Sequence, residues 1–188
     1  MELKELTFDI QLGDLVHLSD PCYEVDKDTF HRDFNVQNVP CLSGTWKVKV
    51  DVMQSENEGT IIKGFSASHV HTNYDYMSLP DGYSFDVGVD SGQFGIFDSS
   101  IYENDADYDR VDSFYRACAD ATLSDARCGV IKDKGFVCSS GYGDGSYLIN
   151  AYFHENGKLG YISIQFFEFA EFVDEEWDDD EDEGLEED

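Results

Sequence analysis

Three stretches rich in glycine and aspartate carry the residue types that could do chemistry in this chain. They are residues 19–23 (SDPCY), 89–98 (VDSGQFGIFD) and 139–147 (SSGYGDGSY). Carboxylates beside glycine-rich turns can act as general acids or bases, or can bind a hard cation together with carbonyl oxygens. If the three loops meet at one end of a sheet, Asp20, Asp90, Asp98 and Asp144 would form one cluster.

The same loops can be explained by architecture alone. The glycines of SSGYGDGSY permit positive φ or close backbone approach, and Asp144 can accept hydrogen bonds from local amides. None of the three stretches has the alternating aspartates and terminal glutamate of a calcium loop, and SSGYGDGSY lacks the lysine and the following helix of a phosphate-binding loop. Two interpretations therefore stay open. One is a bulged turn, and the other is a ligand or cation site with Asp90, Asp98 and Asp144 as candidate metal ligands.

The cysteines do not form a recognisable metal or disulfide pattern. Cys22, Cys41, Cys118, Cys128 and Cys138 are odd in number and contain no CxxC pair, which favours reduced thiols. Cys22 lies among acids, and nearby negative charge raises the pKa of a thiol and makes it a poor nucleophile.

The charge of the chain excludes several classes of function. It has 12 Lys and Arg against 41 Asp and Glu, a formal net charge of −29. Such a field repels phosphate backbones and anionic membrane surfaces, so we expect no direct nucleic-acid binding and no membrane binding. Residues 174–188 contain twelve acids and no base, which predicts a disordered acidic tail with Trp177 as an anchor for a partner or for the body of the domain.

Short alternating or β-branched runs dominate residues 1–173 and predict a single β-rich domain. In TWKVKVDV, for example, the apolar residues from Trp46 to Val52 alternate with polar ones. Asn156-Gly157 predicts the turn of a hairpin near the end of the domain. One helix is predicted at about 105–122, capped by Asn104 or Asp105. The predicted fold is therefore mainly β (α+β), with antiparallel sheets forming a compact sandwich or half-barrel.

In this order, DPCY, VDSGQxGxFD and SGYGDGSY resemble an uncharacterised family of small bacterial and bacteriophage proteins, close to the domain of unknown function numbered 4241. The resemblance covers roughly residues 14–166 and implies a compact β-rich fold and frequent residence on phage or mobile-element genomes. It implies no activity. The residues that match its motifs are Asp20, Cys22, Tyr23, Asp90, Gly92, Gln93, Gly95, Asp98, Gly141, Gly143, Asp144, Gly145 and Tyr147.

Two functions remain in competition. The first is a non-enzymatic acidic protein that engages a basic host protein, such as a nucleic-acid-binding defence or regulatory factor, as a DNA-mimic-like inhibitor. The alternative is a small-ligand or cation-binding protein, or a hydrolase, that uses the Asp/Gly-rich loops. No cofactor is expected, and the oligomeric state is left open. The start of the chain lacks the pattern of a secretory signal, which predicts a cytoplasmic location, in the host cell if the gene is phage-encoded. The candidate ligand-binding or partner-binding residues are Asp20, Tyr23, Asp90, Gln93, Asp98, Tyr142, Asp144 and Trp177.

Overall fold

The computed structural model describes residues 2–25, 36–55, 57, 59–72, 82–107 and 109–167, which form eleven β-strands and one α-helix. The strands are β1 Glu2–Leu12, β2 Leu15–Ser19, β3 Val36–Pro40, β4 Gly44–Ser55, β5 Gly59–His69, β6 Tyr83–Val89, β7 Gln93–Asp98, β8 Cys128–Ile131, β9 Gly135–Ser139, β10 Gly145–Phe153 and β11 Leu159–Gln165. The helix α1 comprises Phe114–Leu123 and lies between β7 and β8 in the chain. The mainly β prediction is confirmed.

The strands form two antiparallel sheets. Sheet A has the order β1-β4-β5-β11-β10-β6, and sheet B has the order β3-β2-β7-β9-β8. In sheet A the last strand, β11, is inserted between β5 and β10. β4 shows the predicted alternation, because Trp46, Val48 and Val50 are fully buried while Lys49 and Asp51 are exposed.

The two sheets pack face to face as a sandwich around one main core. Phe65 of sheet A lies 5.2 Å from Phe136 and 6.4 Å from Phe94 of sheet B, measured between ring centroids. A smaller core on the other side of sheet B contains Phe97, Phe114 and Cys118, and it joins α1 to the sheet. The fold therefore has three layers, with sheet B in the middle.

The helix begins at Phe114, later than the predicted start at 105. The Asp107 N–H donates to the Asp105 carboxylate at 3.0 Å, and the Asp109 N–H donates to the Asp107 carboxylate at 2.9 Å. These local bonds compete with helical hydrogen bonds, which is why aspartates favour turns. Ser113 is the N-cap instead, and its hydroxyl accepts the Arg116 N–H at 3.0 Å.

Two further sequence predictions can be compared with the described residues. The Asn156-Gly157 turn is confirmed, since it joins the paired strands β10 and β11 and Gly157 has a φ of 75°. The described residues include no helix long and apolar enough to cross a membrane. Trp177 and the acidic segment 174–188 lie outside the described residues.

Candidate functional site

Asp20 connects the first two motif loops. It follows the end of β2, it is completely buried, and four hydrogen bonds reach its carboxylate. The Cys22 N–H at 2.9 Å and the Ser91 hydroxyl at 2.6 Å donate to Oδ1. The Asp90 N–H at 2.9 Å and the Ser91 N–H at 2.7 Å donate to Oδ2. The carboxylate therefore holds the SDPCY turn against the loop between β6 and β7.

The third loop meets the second one directly. The Ser140 N–H donates to the Gly92 carbonyl oxygen at 3.0 Å, and a Cβ atom on Gly92 would lie 3.9 Å from the Gly143 Cα. Gly141 and Gly143 have φ values of 66° and 118°, a region that L side chains rarely adopt. The Tyr147 hydroxyl closes the turn by donating to the Gly143 carbonyl oxygen at 2.7 Å. We call residues 20–23, 90–93 and 140–144 together the motif junction.

A second set of hydrogen bonds ties the motif junction to the helix. Gln93 is buried, and its side-chain N–H donates to the Ser91 hydroxyl at 3.2 Å. The Thr122 hydroxyl of α1 donates to the Gln93 amide oxygen at 3.2 Å. The Ser91 side chain is also in hydrogen-bonding contact with the Tyr115 hydroxyl of α1. Gln93 thus lies inside the junction and not on its surface.

Asp98 does not join the other candidate carboxylates, so the expected cluster of four is wrong. It ends β7, whereas the motif junction lies at the start of that strand, roughly 17 Å away at about 3.3 Å per residue. Burial raises the pKa of Asp98, but hydrogen bonds from Ser100 and Gly13 and the charge of Lys134 outweigh it and hold the pKa below its usual value. Among the described residues, no group of three His, Cys, Asp or Glu side chains is arranged to hold a metal ion.

Acidic and aromatic side chains form much of the accessible surface of the junction. Asp90, Tyr142 and Asp144 are exposed, and Tyr23 is partly exposed. The Tyr142 ring packs against Phe167 with the centroids 5.0 Å apart while 70% of the residue stays exposed. Asp90 and Asp144 take part in none of the ion pairs found between described residues.

The electrostatic field at the junction is negative. Burial and a hydrogen bond donated to Asp90 raise the pKa of Tyr23 well above its usual value, and Asp20 raises it further. Burial, followed by the charge of Asp20, raises the pKa of Cys22 to about 12. At neutral pH this thiol is protonated, so it cannot serve as a thiolate nucleophile. The surface suits contact with a cation more than covalent chemistry.

The sequence interpretation missed Ser91, Tyr115 and Thr122, which complete the junction. Ser91 belongs to the VDSG motif, but its hydrogen bonds to Asp20 depend on the pairing of β2 with β7, which the sequence does not show. Comparisons of this chain with protein-family models, with curated proteins and with solved structures found no match. The resemblance to the uncharacterised family therefore stays a prediction.

Proposed function

We propose that this chain is a non-enzymatic acidic protein that binds a basic partner protein through the exposed side chains of the motif junction. The observation that carries the proposal is that Asp90 and Asp144 are exposed and form none of the ion pairs between described residues, while the adjoining loops also carry the accessible rings of Tyr23 and Tyr142. Carboxylates attract lysine and arginine, and aromatic faces attract the same cations through their π electrons.

The buried part of the junction supports this role by holding the surface loops in place. Asp20 fixes the backbone of residues 90 and 91, so the carboxylate of Asp90 is presented from a hydrogen-bonded loop. A preorganised surface loses less entropy on binding than a mobile one. Gln93 and Thr122 extend the same support to α1.

The net charge of −29 supports a basic partner. We propose a basic nucleic-acid-binding protein, such as a host defence or regulatory factor, bound in the manner of a DNA mimic. The acids at 174–188 would add to the attraction, since they carry no compensating base. A phage or mobile-element origin, taken from the family resemblance, fits such a role.

The proposal is tested with the full chain and an arginine-rich peptide, by measuring the dissociation constant as a function of salt. We expect binding to weaken steeply between about 50 and 200 mM salt, because salt screens these attractions. The double variant Asp90→Asn/Asp144→Asn should weaken binding by about 3- to 10-fold at low salt, as loss of two surface charge contacts implies.

A matched double variant controls for net charge. Asp133→Asn/Glu155→Gln also removes two exposed acids, but from the β8–β9 and β10–β11 turns at the ends of β9 and β10 opposite to the junction, and should change binding by less than about twofold. Equal weakening by both double variants would show that the overall charge acts and that the junction is not the binding surface. Binding that does not respond to salt would contradict the proposal itself.

A further inference from the structure

Cys128 and Cys138 lie directly opposite each other in the paired strands β8 and β9. The hydrogen bonds around β9 reveal how its residues face their neighbours. The Ser140 N–H donates to the Gly92 carbonyl on the β7 side, and the Ser139 N–H donates to the Arg127 carbonyl on the β8 side. The backbone N–H and C=O groups of successive residues point alternately to the two neighbouring strands, so those of Cys138 point to β7. The two cysteines therefore form a non-hydrogen-bonded pair of the β8–β9 ladder.

This type of pair brings two cysteines within bonding range. Directly opposite residues in a non-hydrogen-bonded pair have Cα atoms about 4.5 Å apart, and disulfides span Cα distances of about 4.4–6.8 Å. Both side chains point to the same face and belong to the main core, where Cys128 is 5% and Cys138 0% exposed. The separation lies at the short end of the range, so a bridge would be strained and easily reduced.

Among the described residues, which include all five cysteines, no other two cysteines are opposite each other in a strand ladder. Cys118 lies in the smaller core on the opposite side of sheet B, and Cys41 and Cys22 lie outside the paired strands β8 and β9. All five cysteines are free thiols. The other three therefore serve as internal controls for the reactivity of the pair.

Cys128 lies at the end of an edge strand, where local opening can expose it to an oxidant. Cys128 is the first residue of β8, and β8 is the outermost strand of sheet B. Strand ends at the edge of a sheet open locally at small cost in free energy. Burial raises the pKa of Cys128 to about 11, so the thiol reacts only slowly while the strand stays closed.

We propose that Cys128 and Cys138 form a reversible cross-strand disulfide by exchange with a low-molecular-weight disulfide of the glutathione type. The Cys128 thiolate attacks one sulfur of the small disulfide, and a mixed disulfide forms as one small thiolate leaves. The Cys138 thiolate then attacks the Cys128 sulfur, which forms the Cys128–Cys138 bond and releases the second small thiolate. The protein loses two protons and two electrons, and the small disulfide gains them as two thiols.

The test exposes the folded full chain to oxidised glutathione without denaturant, blocks free thiols at low pH and digests the protein with trypsin. Cleavage after Arg127, Lys132, Lys134 and Lys158 places the two cysteines in separate peptides, CGVIK and the peptide that begins GFVCSS. We expect these two peptides to be linked and to separate after reduction. The intact oxidised protein should lose about 2 Da, the mass of two hydrogen atoms.

Two variants sharpen the result. Cys138→Ser should trap the mixed disulfide on Cys128, because the resolving thiol is missing, whereas Cys118→Ser should leave the bridge unchanged. Oxidised wild type should also melt at a higher temperature than reduced wild type, and Cys138→Ser should show no such rise. Linkage of either cysteine to a different one, or complete retention of both free thiols in wild type under these conditions, would overturn the proposal.

Discussion

Replacing Asp20 by asparagine should destabilise the protein although the two side chains have the same shape. The carboxylate accepts four hydrogen bonds, two on each oxygen. An asparagine has only one side-chain oxygen, and its amide nitrogen cannot accept the bonds on the other side. One of the two pairs of donors must therefore lose its acceptor.

The magnitude depends on which pair is lost. If the amide nitrogen replaces Oδ1, the Ser91 hydroxyl can rotate to accept from it, and only the Cys22 N–H is left unpaired. A hydrogen bond to a charged group contributes about 1.5–3 kcal/mol, and an unpaired buried donor costs about 1–3 kcal/mol. We expect Asp20→Asn to lower the free energy of unfolding by about 2–4 kcal/mol, out of the roughly 5–15 kcal/mol of a typical domain.

Urea unfolding measures this effect, with Asp144→Asn as the control. Asp144 is exposed, so the control should stay within about 1 kcal/mol of wild type. Amide hydrogen exchange should also accelerate at Cys22 in the Asp20 variant, because that N–H loses its acceptor. The reasoning fails if Asp20→Asn unfolds at the same urea concentration as Asp144→Asn.

Three further predictions follow from the packing and the electrostatics. Gly95→Ala should cost about 3 kcal/mol in urea unfolding, since overpacking is costly and its Cβ would lie 2.3 Å from the Phe136 carbonyl oxygen, whereas Gly145→Ala, with its nearest atom at 3.5 Å, should cost less than about 1 kcal/mol. Ser113→Ala should destabilise the protein by about 1 kcal/mol through loss of the helix cap, and an unchanged melting temperature would contradict the observed start of α1. The lowered pKa of Asp98 means that its carboxylate stabilises the fold above about pH 4 and that this contribution is lost as the pH falls through the folded-state pKa. The stability difference between wild type and Asp98→Asn should therefore shrink between about pH 6 and pH 2, and a constant difference would refute the assignment.

Local patterns predicted most of the strands because half-buried strands leave a clear signature. The alternation of β4 and the Asn156-Gly157 turn are examples. β3 has no such signature, because it contains Pro40 and because Asn38 has a φ of 53°, which interrupts the regular pattern of a strand. The predicted helix start at 105 is wrong because aspartates suit both a helical first turn and the successive side-chain turns that residues 105–109 adopt.

The sequence identified the loops of the candidate site but not which of their aspartates lie close together. Asp20 and Asp90 meet because β2 pairs with β7, a contact between residues distant in the chain. The separation of Asp98 from Asp90 could be predicted locally. The run FGIFD is itself a strand, so Asp98 lies at its far end from the loop that contains Asp90. The burial of Asp20 could not be predicted, since it depends on how the loop between β6 and β7 packs against the SDPCY turn.

The insertion of β11 between β5 and β10 determines the order in which the protein can assemble during translation. Once β5 has emerged from the ribosome, one of its edges has no partner until β11 is made, roughly 90 residues later, or about 5–20 s at typical elongation rates. During this interval Phe65 and Ala67 have neither their neighbouring strand nor a complete opposing sheet. The nascent chain thus carries an open, apolar strand edge that chaperones could bind, and a ribosome that stalls before residue 159 would release an aggregation-prone half-sheet.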